Sequence, residues 1–190
     1  MHAFKLDKLA EQWLLEDASG LDTVSMCIDS YCKKEKVYAD IIFKSDGLLC
    51  GQPFVEAVCR KVGAIVEWLA SEGSCVKGPT VVGRIIGGPS QVLLAERTCL
   101  NVLARASGIA SKCHEVLQLV PDKWTGRIAG TRKTTPGFRI VEKYALQVGG
   151  ADTHRMSLTD SLMLKDNHWA IMDGNIEDLM HDLRKQMSFT

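Results

Sequence analysis

The sequence predicts an α/β fold from three observations. Strand-like and helix-like patterns alternate along the chain. Pro, Gly and Ser signals mark where helices start and stop. The residues richest in chemistry follow directly after apolar strand-like runs. Strand–helix–strand connections of this type predict a parallel sheet, and in such sheets ligands bind where the strands end.

In chain order, residues 5–16 predict an amphipathic helix. Leu6, Leu9, Ala10, Trp13 and Leu14 recur at three- and four-residue steps, and Ser19-Gly20 stops the pattern. Residues 37–43 alternate as a strand, with Val37, Ala39, Ile41 and Phe43 on one face. Ser45-Asp46-Gly47 is a turn, and Leu48-Leu49-Cys50 continues into a second strand. Pro53 suits the first turn of a helix, where its missing N–H costs nothing. Phe54, Ala57, Val58 and Val62 form the inner face of that helix, and Gly63 ends it.

Two short strands follow at 64–69 and 81–86, and Gly87-Gly88-Pro89 breaks the chain. From Ser90 a long helix runs to about Leu119, with an interruption expected at Gly108. Residues 127–131 read as a short strand, and 137–148 as a helix closed by Gly149-Gly150. Leu162-Met163-Leu164-Lys165 is a continuous apolar run ending in a charge, and 175–187 is helical in pattern.

Composition narrows the function classes. The 190 residues are 46% hydrophobic and 24% charged, with 23 basic and 23 acidic side chains. That balance opposes general nucleic-acid binding, which needs a cationic surplus. No run of apolar residues is long enough for a membrane-spanning helix. Asp7, Glu11, Glu16 and Asp17 oppose a secretory or mitochondrial leader. The seven cysteines are odd in number, irregularly spaced and free of CxxC, so zinc ribbons and redox pairs find no support. They read mostly as small core residues in a reducing compartment, which points to the cytoplasm.

Three clusters carry the chemistry. The densest is Gly130-Thr131-Arg132-Lys133-Thr134-Thr135-Pro136-Gly137. Two adjacent cations, three hydroxyls and flanking glycines at a strand end suit an oxyanion, although a solvated basic turn has the same composition. The second is His154-Arg155, and the third is Lys165-Asp166-Asn167-His168. Lys165 either faces a pocket from the end of a buried strand or marks that strand's exit into water. His154 and His168 read as hydrogen-bonded structural histidines when taken alone.

Convergence of Arg132, Lys133, Arg155 and Lys165 would be unstable without a ligand. Each like-charge pair at about 4 Å costs about 4 kcal/mol at an effective dielectric near 20. Such a pocket requires a multiply charged anion, carboxylate or phosphate, and arginine suits the planar carboxylate best. In the long helix, Glu96-Arg97 followed by Asn101 and Arg105 is either a functional string or one exposed helical stripe.

These residues resemble the quinolinate phosphoribosyltransferase family. Glu96-Arg97-Thr98-Cys99-Leu100-Asn101 with Ala104-Arg105-Ala106-Ser107-Gly108 is similar to its central helix. Gly130–Gly137 continuing through Glu142-Lys143-Tyr144-Ala145 resembles its signature loop. Val148-Gly149-Gly150 to His154-Arg155, and Leu164-Lys165-Asp166-Asn167-His168, match its next two motifs in order and spacing. The resemblance implies an N-terminal α/β sandwich with a central helix over 1–108. It implies the first part of an incomplete TIM-like α/β barrel over 109–190.

The family transfers ribose 5-phosphate from phosphoribosyl pyrophosphate to quinolinate. Decarboxylation then gives nicotinate mononucleotide, a precursor of NAD. The resemblance implies that Lys133 and Lys165 are catalytic, and that Arg97, Arg132, Lys133, His154, Arg155 and Lys165 bind substrate. It further implies Mg2+ carried with phosphoribosyl pyrophosphate, and a homodimer or higher homo-oligomer in which Arg97 reaches the neighbouring site. The family's later acidic residues, which hold ribose and magnesium, have no counterpart, so the sequence reads as C-terminally truncated. The alternative function is a catalytically inactive fragment that binds anions or pairs with full-length subunits.

Overall fold

A computed structural model describes residues 2–20, 22–172 and 174–186. The chain divides into two compact units, Met1–Met156 and Ser157–Thr190. The first contains α1 (Ala3–Asp17), α2 (Thr23–Tyr31), β1 (Val37–Phe43), β2 (Gly47–Leu48), α3 (Gln52–Val62), β3 (Ile65–Trp68), β4 (Cys75–Val76), β5 (Thr80–Gly87), α4 (Pro89–Gln118) and α5 (Arg139–Val148). The second contains α6 (Asp166–Ala170) and α7 (Ile176–Gln186).

The sheets are antiparallel, which corrects the parallel expectation. β5 lies between β1 and β3, and β2 pairs with β4. Only one helix, α3, lies between strands, and the strands that flank it, β2 and β3, belong to different sheets, so it makes no parallel crossover. Alternation alone does not set strand direction. The expected strand at 127–131 reduces to one parallel bridge, Ala129 with Asp152. The run 162–165 forms no strand. Leu162 and Met163 are exposed, and a continuous apolar run lacks the alternation of a half-buried strand. Thr23–Tyr31 and Cys75–Val76 are elements that periodicity did not reveal.

Local chemistry explains the helix ends. Gly63 adopts φ +79° at the end of α3, with its N–H donating to Arg60 O and the Ala64 N–H to Cys59 O. This is a Schellman cap, and glycine meets its left-handed requirement without a Cβ penalty. At the other end of α3, the Glu72 carboxylate accepts from Gly51 N at 2.8 Å and Gln52 N at 3.0 Å. These are donors the helix cannot satisfy itself.

α4 is one unbroken helix of 30 residues and Gly108 does not interrupt it. It carries two buried edges. Ala95, Cys99 and Leu103 pack with Val55, Val58, Val82 and Ile85 in one core cluster. Val102, Ala106 and Ala110 pack with Phe54, Val141 and Ala145 in the other. Two serines of α4 tie down the chain after β1. Ser111 Oγ accepts from Leu48 N at 2.7 Å, while Ser107 Oγ accepts from Cys50 N and donates to Cys50 O.

Aromatic contacts seat α5. Phe54 lies 5.3 Å from Tyr144 in a perpendicular arrangement, and Trp13 contacts both Phe54 and Phe138. A Cβ on Gly149 would meet Ala110 O at 2.6 Å and Cys113 Cβ at 2.7 Å, so the end of α5 approaches α4 through glycine. Four of the seven cysteines, Cys50, Cys59, Cys99 and Cys113, are buried, while Cys27 and Cys75 are exposed.

Gly108 lies on the exposed face of α4, where an added Cβ meets nothing within 4 Å. Gly108→Ala is expected to stabilise the protein by about 0.5–1 kcal/mol through reduced chain entropy. A higher midpoint in urea with an unchanged slope is the expected result; a lower midpoint would show that the position needs glycine.

Candidate functional site

The site is built on two chain segments that run side by side in the first unit. One is the basic loop after Ala129, and the other follows Asp152. Gly130 N donates to Asp152 O at 2.8 Å, and Asp152 N to Ile128 O at 2.9 Å. A second tie lies further along. The Arg139 guanidinium donates to Thr134 Oγ1 through Nε and to Met156 O through Nη1, both at 2.9 Å. Between these ties lie Arg132 and Lys133 on one segment and His154 and Arg155 on the other. The structure thus brackets four of the six sequence-predicted site residues.

α5 supplies the scaffold. Its apolar face sinks Val141 and Ala145 fully into the core, while Glu142 and Lys143 are buried beside the loops. Glu142 Oε1 accepts from Thr135 Oγ1 at 2.7 Å and Arg105 Nη2 at 2.9 Å, and Oε2 accepts from Thr135 N at 3.4 Å. Burial pushes the Glu142 carboxyl up, but the bonds from Arg105 and Thr135 outweigh it and hold it below the usual glutamate range. Asp152 is similarly held low, first by the His154 N–H and then by Arg127.

Both acidic groups are therefore engaged within the fold. Among the described residues, Arg132 and Lys133 form no salt bridge, and Arg132 Nε is buried without a hydrogen-bond partner. A buried guanidinium N–H with no acceptor is costly, and an oxyanion at that position removes the cost. The three threonine hydroxyls, expected to face a ligand, instead brace the loop. Thr131 Oγ1 accepts from Lys133 N, Thr134 Oγ1 from Arg139, and Thr135 Oγ1 donates to Glu142.

His154 is exposed and has φ +52°, the one left-handed non-glycine backbone among the described residues. Its N–H donates to Asp152 Oδ1 at 2.7 Å, which closes the turn. Such a conformation persists where surrounding contacts enforce it, and it concentrates at functional sites.

The two ties do not bracket the other two predicted residues, Arg97 and Lys165. Arg97 is exposed on α4, with Glu96 3.8 Å away as its ion-pair partner. Arg97 and Asn101 share the exposed stripe with Arg105, but only Arg105 reaches Glu142. Lys165 belongs to the second unit, where it precedes α6 in extended conformation rather than closing a strand. Its N–H donates to His168 Nδ1 at 3.0 Å, so His168 caps a helix.

Sequence reasoning assigned no role to Arg139, Glu142 or Lys143. The available signal was two charged residues, Glu142 and Lys143, set between apolar Val141 and Ala145 in a strongly amphipathic helix. For metal binding, no group of three or more His, Cys, Asp or Glu is gathered among the described residues.

Residues 22–107 match the family model for the quinolinate phosphoribosyl transferase N-terminal domain, and residues 109–190 match that for the C-terminal domain. The chain is 41% identical over 185 residues to a carboxylating nicotinate-nucleotide pyrophosphorylase of Rattus norvegicus, covering 97% of this chain and 60% of that one. It is 40% identical over 186 residues to that of Homo sapiens, covering 97% and 61%. The fold is similar to NadC from Streptococcus pyogenes, with TM-score 0.87, 30% identity and coverage of 100% of this chain and 68% of that one. This chain spans about three fifths of the length of the curated relatives.

Removal of the Glu142 charge tests the scaffold. Its folded value lies below the ordinary 4.5, so the unfolded chain binds this proton more readily. The stabilisation is complete above the ordinary value and lost as pH falls through the lowered one. Wild type minus Glu142→Gln, in unfolding free energy against pH, should shrink below about pH 4.5. A flat difference would separate Glu142 from loop stability.

Proposed function

The chain belongs to the quinolinate phosphoribosyltransferase family, and from this we propose that the bracketed cations bind quinolinate and phosphoribosyl pyrophosphate. The observation that carries the reading is the geometry of Arg132. Its Nε is buried without an acceptor, between two ties that hold Lys133, His154 and Arg155 nearby. Quinolinate brings two carboxylates and the sugar donor brings phosphates, so both supply the missing anion. Arg132 and Arg155 suit the planar carboxylates, and Lys133 suits phosphate as a compact point charge.

The reaction of the full-length protein is ribosyl transfer followed by decarboxylation. The quinolinate nitrogen attacks the anomeric carbon as the bond to pyrophosphate breaks, through an oxocarbenium-like state. This chain's part is to orient the nitrogen and stabilise departing negative charge with Lys133. The carboxylate next to the ring nitrogen then leaves as carbon dioxide, its electron pair is held beside the new pyridinium, and a proton from water replaces it. Magnesium enters as part of the pyrophosphate substrate. Lys165 follows the matching motif and serves as a further catalytic and phosphate-binding cation. Arg97, exposed on α4 with a 3.8 Å partner, serves a neighbouring subunit of a homo-oligomer.

The compartment proposed is the cytoplasm; among the described residues no helix is long and apolar enough to cross a membrane.

Four measurements test the reading. Carbon dioxide release from carboxyl-labelled quinolinate by the purified chain reports turnover, and calorimetry with quinolinate reports binding. Binding without turnover supports the anion site alone; absence of both binding and turnover sinks the proposal. Arg132→Ala should weaken quinolinate binding about thirtyfold, ~2 kcal/mol, with little change in melting temperature. Equal losses in both would make Arg132 structural. In the full-length enzyme, mixing Arg97→Ala with Arg155→Ala subunits should restore part of the activity lost by each. No rescue in verified mixed dimers removes the cross-subunit role.

A further inference from the structure

Lys143 is 1% exposed, one of the largest fully buried side chains of the molecule, and it belongs to none of the ligand-binding roles above. Its ammonium donates to the carbonyl oxygen of Thr153. The crossing of the two segments lies beside it: Gly130 N bonds Asp152 O, and a Cβ on Gly130 would stand 3.2 Å from Lys143 Nζ. The next residue after Thr153 is His154, with its left-handed φ of +52°.

An apolar side chain would fill this space without the cost of burying a charge. What the lysine adds is a donor for a carbonyl at the root of the His154 turn. Thr153 O is held by Lys143, and His154 N is held by Asp152 Oδ1 at 2.7 Å. The peptide unit between them is therefore gripped at both its acceptor and its donor, which is what a non-glycine residue at positive φ requires. We propose that Lys143 is a positioning residue, whose buried ammonium fixes the Thr153–His154 peptide and thereby aims His154 and Arg155 at the anion.

The inference rests on the anion-binding reading above for its consequence, but not for its geometry. Two charged groups face the ammonium, Arg139 on its own helix and Asp152 on the neighbouring segment. Burial, then Arg139, draws the Lys143 pKa below the usual lysine range, partly offset by Asp152. The residue is thus electrostatically loaded where it stands, as a positioning group tolerates and a space-filling one does not need.

The test uses the whole chain and two readouts. In Lys143→Met, backbone amide exchange at residues 153–156 should rise about tenfold while the amides of α4 keep their protection. The dissociation constant for quinolinate should rise about tenfold, beyond any change in melting temperature. Should Lys143→Met fail to fold, Gly130→Ala crowds the ammonium and Leu146 without removing the charge, and the same local rise in exchange is expected. Exchange at 153–156 within twofold of wild type in the folded variant overturns the proposal, as does an equal rise throughout the molecule. If the wild-type chain does not bind quinolinate, the anion-binding reading fails, while the exchange result still decides whether Lys143 holds the turn.

Discussion

The arrangement hangs on the double-edged burial of α4. One helix places Ala95, Cys99 and Leu103 against the sheet-side core, and Val102, Ala106 and Ala110 against α5. Small side chains at these crossings let α3 and α5 approach closely, and close-packed interiors leave little room to shift. The same helix sends out the polar groups that place the loops. Ser107 and Ser111 hold Leu48 and Cys50, and Arg105 reaches Glu142. A displacement of α4 would therefore move both cores and the loop together.

The charge pattern of the site follows from this frame. Arg105, Arg127, Arg139 and Lys143 are used within the fold, against Glu142, Asp152 and the carbonyls of Met156 and Thr153. The two carboxylates among these partners are thereby engaged, and among the described residues Arg132 and Lys133 form no salt bridge. The basic loop is not a uniform cationic surface. Some of its neighbouring cations brace the fold, while Arg132 and Lys133 form no salt bridge among the described residues, and the division depends on where α5 puts its carboxylate. The hydroxyls, which in isolation suit an oxyanion, are drawn into bracing because Glu142 and Arg139 stand within reach of them.

Much of the first unit was legible in the sequence because its elements are locally coded. The alternation at Val37, Ala39, Ile41 and Phe43 became β1, and the Pro53 and Gly63 signals bounded α3 to within a residue. Gly108 misled, since a glycine on an exposed helix face costs some stability without breaking a helix whose other faces are buried. The parallel sheet and the strands at 127–131 and 162–165 failed for another reason. Hydrophobic runs identify segments that could pair, but pairing and direction depend on which other strand is adjacent.

Taken alone, the amino-acid order determined the alternation of elements, the balance of charge, and the motifs whose likeness to quinolinate phosphoribosyltransferases held over both family domains. Those properties reside in neighbouring residues and need no folded chain to be read. Only the tertiary structure decided which of the many cations are already paired, that Arg132 retains a buried N–H without an acceptor, and that Lys143 grips the turn at His154. Pairing of charges is a matter of distance through space. Arg105 and Glu142, thirty-seven positions apart in the chain, meet at 2.9 Å because two helices cross there.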